Sequence, residues 1–254
     1  MILTIDIGNT NIVIGCAENE KMVFVERIST SHNQTVLEFA IIFKNILEIY
    51  GISPKNINGA VMASVVPAVT KNIATAVEKI TGTKVMTVGP GTKTGLSIVI
   101  DNPAQLGADR VVGAVAGLHY YGAPLIIFDL GTATTVDVVD KDKHYIGGMI
   151  MPGVNTAQSA LTQNTSLLHK VAVEPPKKVI GKNTTDCMKS GAVYGTAASL
   201  DGIIDRIEAE LGYKADAVAT GGLAGCISPY CTHKIAIDDG LMLNGLLQIY
   251  LKNK

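Results

Sequence analysis

No run of apolar residues in this 254-residue chain reaches the roughly 20 needed to cross a bilayer, which argues against a membrane-spanning protein. No sign of charge predominates either. The 21 Lys and Arg stand against 22 Asp and Glu, a formal net charge of −1, so no global field draws the chain to nucleic acid or to an anionic membrane. The four cysteines, Cys16, Cys187, Cys226 and Cys231, form no Cys-x-x-Cys pair, which leaves neither a zinc-ligand spacing nor a disulfide framework. Also missing are G-x-x-x-x-G-K-[ST], G-x-G-x-x-G and G-x-S-x-G, an absence that argues against P-loop, dinucleotide-binding and α/β-hydrolase chemistry. The opening MILTIDIGNT has no basic segment and sets Asp6 inside its apolar stretch, so it reads as a first strand rather than a signal peptide and predicts a cytoplasmic protein.

What the chain has is apolar mass. Hydrophobic residues make up 47% and charged residues 17%, a balance that implies extensive burial, with material for a subunit interface besides a core. β-rich runs alternate with helical patterns, which points to the α/β class. Residues 2–7 and 11–16 read as strands around the turn Gly8-Asn9-Thr10, with a third strand near 22–28. Residues 35–50 predict a largely buried helix stopped by Gly51; strands are expected at 60–65 and 84–88, and an amphipathic helix at 70–81. From residue 124 the opening returns: PLIIFDLGTATTVDVV lies over MILTIDIGNTNIVIGC, Asp129 on Asp6 and Gly131 on Gly8. A repeat offset by nearly half the chain is two copies of one domain facing each other across a cleft rather than a solenoid. The reading is an N-terminal domain 1–118 and a C-terminal domain 119–254. Within the second, residues 147–153 read as a flexible glycine segment leading into a helix over 156–161. Residues 185–211 predict a long helix capped by Asn183-Thr184 and closed by Gly212. Its glycines at 191, 195 and 202 weaken a helix and need a reason. Gly191, Gly195 and Ser199 share one face, open either to close packing within the subunit or to a dimer contact.

Four constellations are candidates for carrying chemistry. Asp6-Ile7-Gly8-Asn9-Thr10 places a carboxylate at a strand end before a turn whose N–H groups and Thr10 hydroxyl suit a phosphate, with Asp6 able to hold Mg²⁺; an ordinary β-turn is the plainer alternative. The second copy, Asp129-Leu130-Gly131-Thr132, favours function, because two such turns can grip a polyphosphate. Gly107-Ala108-Asp109-Arg110 sets a carboxylate beside a guanidinium before an apolar helix, a general base next to an anion-binding group, or simply a helix-opening Asp with a surface Arg. Ala219-Thr220-Gly221-Gly222 offers either a flat backbone platform for a ring such as adenine or a plain turn.

Taken in order, DIGNT at 6–10, ASVVP at 63–67, DNPAQLGADR at 101–110, DLGTATTVD at 129–137, GGMIMPG at 147–153, IGKNTTD at 180–186 and ATGG at 219–222 resemble the type III pantothenate kinases, over nearly the whole chain. The resemblance implies duplicated ribonuclease H-like domains of the acetate and sugar kinase, Hsp70 and actin type around a central cleft. It implies ATP-dependent phosphorylation of pantothenate to 4′-phosphopantothenate, the first step of coenzyme A biosynthesis. Asp109 is then the general base, and Gly107, Ala108, Arg110 and Thr184 bind substrate with it. Asp6, Ile7, Gly8, Asn9, Thr10, Asn11, Ile12 and Val13 form the ATP loop, with Thr132 contacting the phosphates. Asp6 lies near Mg²⁺, and Asp129 ligates a monovalent cation, K⁺ or NH₄⁺. A homodimer is implied, with no nucleic-acid or membrane partner. Ile100 stands where the family commonly has Tyr, and Gln105 where an acidic residue is frequent. Two rivals stay open at this point: another phosphotransferase on the same fold, which has no counterpart of the GADR segment, and an ATP-binding regulator without turnover.

Overall fold

The computed structural model describes residues 1–254. The chain divides into two compact units, one made of 1–95, 102–116 and 241–254, the other of 96–101 and 117–240. No helix is long and apolar enough to cross a membrane.

The first unit holds a five-stranded sheet of β1 (Ile2–Ile7), β2 (Asn11–Glu18), β3 (Lys21–Ser29), β4 (Gly59–Ser64) and β5 (Val85–Thr87), in the order β3-β2-β1-β4-β5. The first three strands form an antiparallel meander, and β4 and β5 run parallel to β1. Helices α1 (Val36–Ile49) and α2 (Pro67–Thr81) supply the two crossovers. Thr35 and Glu38 close a capping box at the start of α1, and left-handed Gly82 ends α2. Strand alternation divides β1 cleanly. Leu3, Ile5 and Ile7 enter the core with Phe39, Phe43, Val69 and Ile73, whereas Thr4 and Asp6 face the other side. There Leu243, on the C-terminal helix α8 (Leu241–Asn253), lies over Gly15, the partner of Thr4. Helix α1 is not largely buried. Its inner stripe is covered, but Leu37, Ile41 and Ile49 remain 59%, 49% and 75% exposed, because a single sheet face covers only one side of it.

The second unit repeats the plan. Strands β7 (Leu125–Leu130), β8 (Ala133–Val139) and β9 (His144–Pro152) form the meander, and β10 (Asp216–Thr220) and β11 (Ala236–Ile237) run parallel to β7. The order is β11-β10-β7-β8-β9, extended at the β9 edge by β6 (Ser97–Ile98). The duplication read from sequence is therefore a duplication of sheet order. Residues 147–153 are not a flexible segment: 147–152 complete β9, where Gly147 and Gly148 pair with Val138 and Asp137, and Gly153 is the N-cap of α4 (Val154–Gln163). Helical backbone runs from 184 to 211 as α5 (Thr184–Ser190), a π-helical turn over Gly191–Gly195 and α6 (Thr196–Leu211), with Asn183 capping Asp186 N–H at 2.9 Å. Val193, Leu200, Ile204 and Ile207 pack on Ile126, Phe128 and Leu130. A short helix α7 (Ala224–Ile227) follows β10.

Helix α3 (Ala108–Tyr120) contributes its first nine residues to the first unit and its last four to the second. The single cut at 118/119 put everything after it in one domain. Helix α8 packs instead on β1, β4 and β2, an exchange that no one boundary describes.

One buried carboxylate sets an acid limit on the second unit. Burial alone would push the Glu208 carboxyl up. Lys214 Nζ at 2.5 Å and the Ala215 N–H at 3.1 Å outweigh it and hold Glu208 below its ordinary value. A folded pKa below the unfolded one contributes stability that is present above about pH 4.5 and is lost as the pH falls through the lowered value. Thermal unfolding is expected at progressively lower temperature on acidification, and Glu208→Gln is expected to shrink that acid-dependent loss.

Candidate active site

Asp6 is the next-to-last residue of β1 and Asp129 the next-to-last of β7. Asp6 pairs with Val13 on β2 and Ala63 on β4; Asp129 pairs with Thr135 on β8 and Thr220 on β10. Each carboxylate thus occupies the same register of its sheet, at the carboxyl end of the strand from which the parallel partner splits, where open α/β sheets bind ligands.

In the first unit the turn closes with Gly8 N–H donating to Asn11 O at 2.9 Å, and Thr30 Oγ1 donates to Gly8 O at 2.6 Å. Asn9 and Thr10 are exposed at its tip, and Asn11 and Val13 are half-buried. Ile7 and Ile12 are completely buried, so these two members of the ATP loop offer main chain only. The second turn closes with Gly131 N–H donating to Ala133 O at 3.1 Å, and Thr132 is exposed. Two contacts fix it from α4: Gly153 N–H donates to Thr132 O at 3.1 Å and Thr156 Oγ1 to the same oxygen at 2.7 Å.

Two glycines hold this second turn by having no side chain. A Cβ at Gly153 would lie 2.5 Å from Thr132 O and closer still to Gly131 O. A Cβ at Gly221, whose φ is +92°, would lie 2.5 Å from Asp129 Oδ1 and 2.8 Å from Leu130 backbone. The sequence marked Gly153 only as the end of a flexible glycine segment and the Gly221-Gly222 pair only as a turn or a platform. Their role against the Asp129 turn appears once β10 and α4 are placed beside β7. Because the atoms facing Gly153 are backbone and cannot swing aside, Gly153→Ala is expected to cost about 1–3 kcal/mol of stability. ATP affinity should fall with it, and thermal unfolding and nucleotide titration check both.

The GADR segment opens α3. Asp109 lies in its first turn, where a negative charge suits the helix dipole. Its Oδ1 accepts the Arg110 backbone N–H at 2.8 Å, and the carboxylate occupies the space that a Gly107 side chain would take. Gly107, Ala108, Asp109 and Arg110 are all half-buried. Thr184, exposed as the first residue of α5, borders a cavity of about 640 Å³ within the second unit, walled by α4, α5 and the π-helical turn. Apart from their chain neighbours and their own helix backbone, nothing comes within 4 Å of the Cβ positions of Gly191, Gly195 or Gly202, so close packing against another element of the subunit does not account for them.

No group of three His, Cys, Asp or Glu side chains is placed to hold a metal ion. Each turn offers one carboxylate together with main-chain oxygens. That is a hard-oxygen donor set suited to Mg²⁺ carried with phosphate, or to an alkali cation, rather than to a closed transition-metal site.

A family model of type III pantothenate kinases matches residues 2–206. The type III pantothenate kinase of Moorella thermoacetica is 41% identical over 253 residues, which cover 100% of both chains. The chain belongs to the type III pantothenate kinase family. As a member it transfers a phosphoryl group from ATP to pantothenate, in coenzyme A biosynthesis. Solved structures agree on the fold. A Campylobacter jejuni protein described as a Baf family transcriptional activator matches with TM-score 0.61 at 18% identity, covering 99% of this chain and 98% of its own. A Sinorhizobium meliloti protein described as a 2-dehydro-3-deoxygalactonokinase matches with TM-score 0.58 at 12% identity, covering 98% and 95%. At these identities they speak for the fold alone, the two-domain ribonuclease H-like architecture.

Proposed function

We propose that in this pantothenate kinase Asp109 is the general base, and that Gly107, Ala108, Arg110 and Thr184 bind pantothenate with it. The residues from Asp6 to Val13, joined by Thr132, bind the phosphates of ATP. Asp6 lies near Mg²⁺, and Asp129 ligates K⁺ or NH₄⁺. The observation that carries this reading is the equivalence of Asp6 and Asp129: one carboxylate and one glycine turn at the same register of two duplicated sheets. Bound cations there offset the charge of the triphosphate. Phosphoryl transfer asks mostly for alignment and charge neutralisation, so few side chains need to do chemistry. The pantothenate hydroxyl oxygen bonds to the γ-phosphorus as the bond to the β–γ bridging oxygen breaks. ADP leaves, and the hydroxyl proton passes to the Asp109 carboxylate. Arg110 supplies a planar, permanently charged donor for an anionic oxygen.

A homodimer fits the same reading. Gly191 and Gly195 are exposed with no other element of their own chain against them, and Ile150 and Leu161 expose 67% and 49% of their surface in the same unit. The experiment is ADP release from purified protein with Mg-ATP, with and without pantothenate, in K⁺ and then in Na⁺ buffer. Release that needs both pantothenate and K⁺ supports substrate and cation together. Release indifferent to pantothenate points to another substrate on this fold, and none at all to a nucleotide-binding regulator.

A further inference from the structure

Gln158, on α4, borders the 640 Å³ cavity that Thr184 also borders. Its residue is 4% exposed, and neither its amide oxygen nor its amide nitrogen has a hydrogen-bond partner or appreciable contact with solvent. A buried carboxamide with both ends unmade is costly, so the position calls for an explanation. Turning the head into the cavity would break no hydrogen bond of the protein.

The wall around it limits what can enter. No charged side chain lines the cavity; Met151, Val154, Leu161 and Leu168 make an apolar surface, and the π-helical turn over Gly191–Gly195, a distortion common at functional sites, forms one side. Such a space accepts a neutral, largely aliphatic group and rejects a carboxylate. A primary carboxamide carries both a donor and an acceptor, so its head can accept from the N–H or donate to the C=O of a secondary amide, which point in opposite directions in the trans form. Pantothenate has such an amide, one hydroxyl-bearing carbon away from a gem-dimethyl group on one side and two methylenes from its carboxylate on the other.

We infer that Gln158 is a specificity-determining residue that recognises the central amide of pantothenate, with the aliphatic part of the substrate against the apolar wall and the carboxylate outside the cavity. This rests on the reading of Thr184 as part of the pantothenate site. One neutral hydrogen-bonding pair lost at a desolvated site corresponds to about a tenfold effect.

The test uses Gln158→Met, which keeps length and removes both polar atoms. The KM for pantothenate is expected to rise about tenfold, with the KM for ATP unchanged and the melting temperature equal or higher, because an unsatisfied buried amide has been removed. Pantothenol, which keeps the amide and lacks the carboxylate, should lose the same factor. In the wild-type enzyme, pantothenate should slow iodoacetamide modification of Cys187, an exposed thiol on the cavity wall, and Gln158→Met should require about tenfold more pantothenate for the same protection. A wild-type enzyme that phosphorylates pantothenate while Gln158→Met keeps its KM overturns the assignment and leaves the kinase reading intact, as does turnover without protection of Cys187. A loss confined to pantothenate would assign Gln158 to the carboxylate and overturn it too. Absence of pantothenate-dependent turnover in the wild type would overturn both.

Discussion

Asp109→Asn is expected to lower kcat for pantothenate phosphorylation by about 10²–10⁴-fold, the usual contribution of a positioned general base, with ATP affinity and thermal stability nearly unchanged. The substitution is nearly silent structurally. Asn keeps Oδ1, so the 2.8 Å bond from the Arg110 N–H survives and the start of α3 stays in place. Gly107 still leaves room for a side chain of the same shape. What disappears is the negative charge and the capacity to take a proton from the attacking hydroxyl. Since phosphoryl transfer draws most of its acceleration from alignment and charge neutralisation, a residual rate should remain rather than none. Steady-state kinetics with an ATP titration decide it. Turnover within a factor of about two of wild type removes Asp109 as the base, and a collapse of ATP binding or of the melting temperature reassigns it to holding α3.

The parts of this fold that were readable from sequence are those whose signal is local or periodic. Both Asp-bearing strands stand out because a charge interrupts a β-branched run just before a glycine turn, and laying one over the other predicts the two matching sheet orders. The long helix from Asn183 to Gly212 was readable from its caps even though a π-helical turn lies inside it. Other features were illegible because their cause is remote in sequence. Gly147 and Gly148 look like a flexible segment until β8 is set alongside them, since strand pairing uses main chain and does not need side chains. The face of α1 that carries Leu37, Ile41 and Ile49 reads as core by composition alone. Gly153 reads as the end of a flexible segment and Gly221 as a turn or platform glycine, and only the closeness of Thr132 and Asp129 explains why no side chain is tolerated there. Gln158 carried no signal at all in sequence: a single glutamine on a helix is ordinary, and its interest comes from the missing hydrogen bonds around it.

Asp129→Ala is expected to raise the K⁺ concentration for half-maximal activity by between about fivefold and several hundredfold. The range follows from the attraction between two unit charges about 4 Å apart, roughly 1 kcal/mol in water and roughly 4 kcal/mol near a protein surface. The carboxylate lies at the end of β7 beneath Gly221, whose missing side chain leaves Asp129 Oδ1 its place. Truncating Asp129 therefore opens space and crowds nothing, so the enzyme should remain folded and retain the Thr132 turn, which is anchored separately by Gly153 and Thr156. Gly221→Ala attacks the same carboxylate from the opposite direction, by pressing on it and on the Leu130 backbone at a left-handed position, and should shift K⁺ dependence and stability together. The pair separates two causes. If Asp129 binds the cation, saturating K⁺ restores much of the Asp129→Ala rate while the melting temperature stays near wild type. If Asp129 only supports the turn, added K⁺ restores nothing and affinity for ATP falls in both variants. An unaltered K⁺ dependence in Asp129→Ala moves the monovalent cation to other oxygens of the site, leaving Asp6 as the carboxylate that works with Mg²⁺.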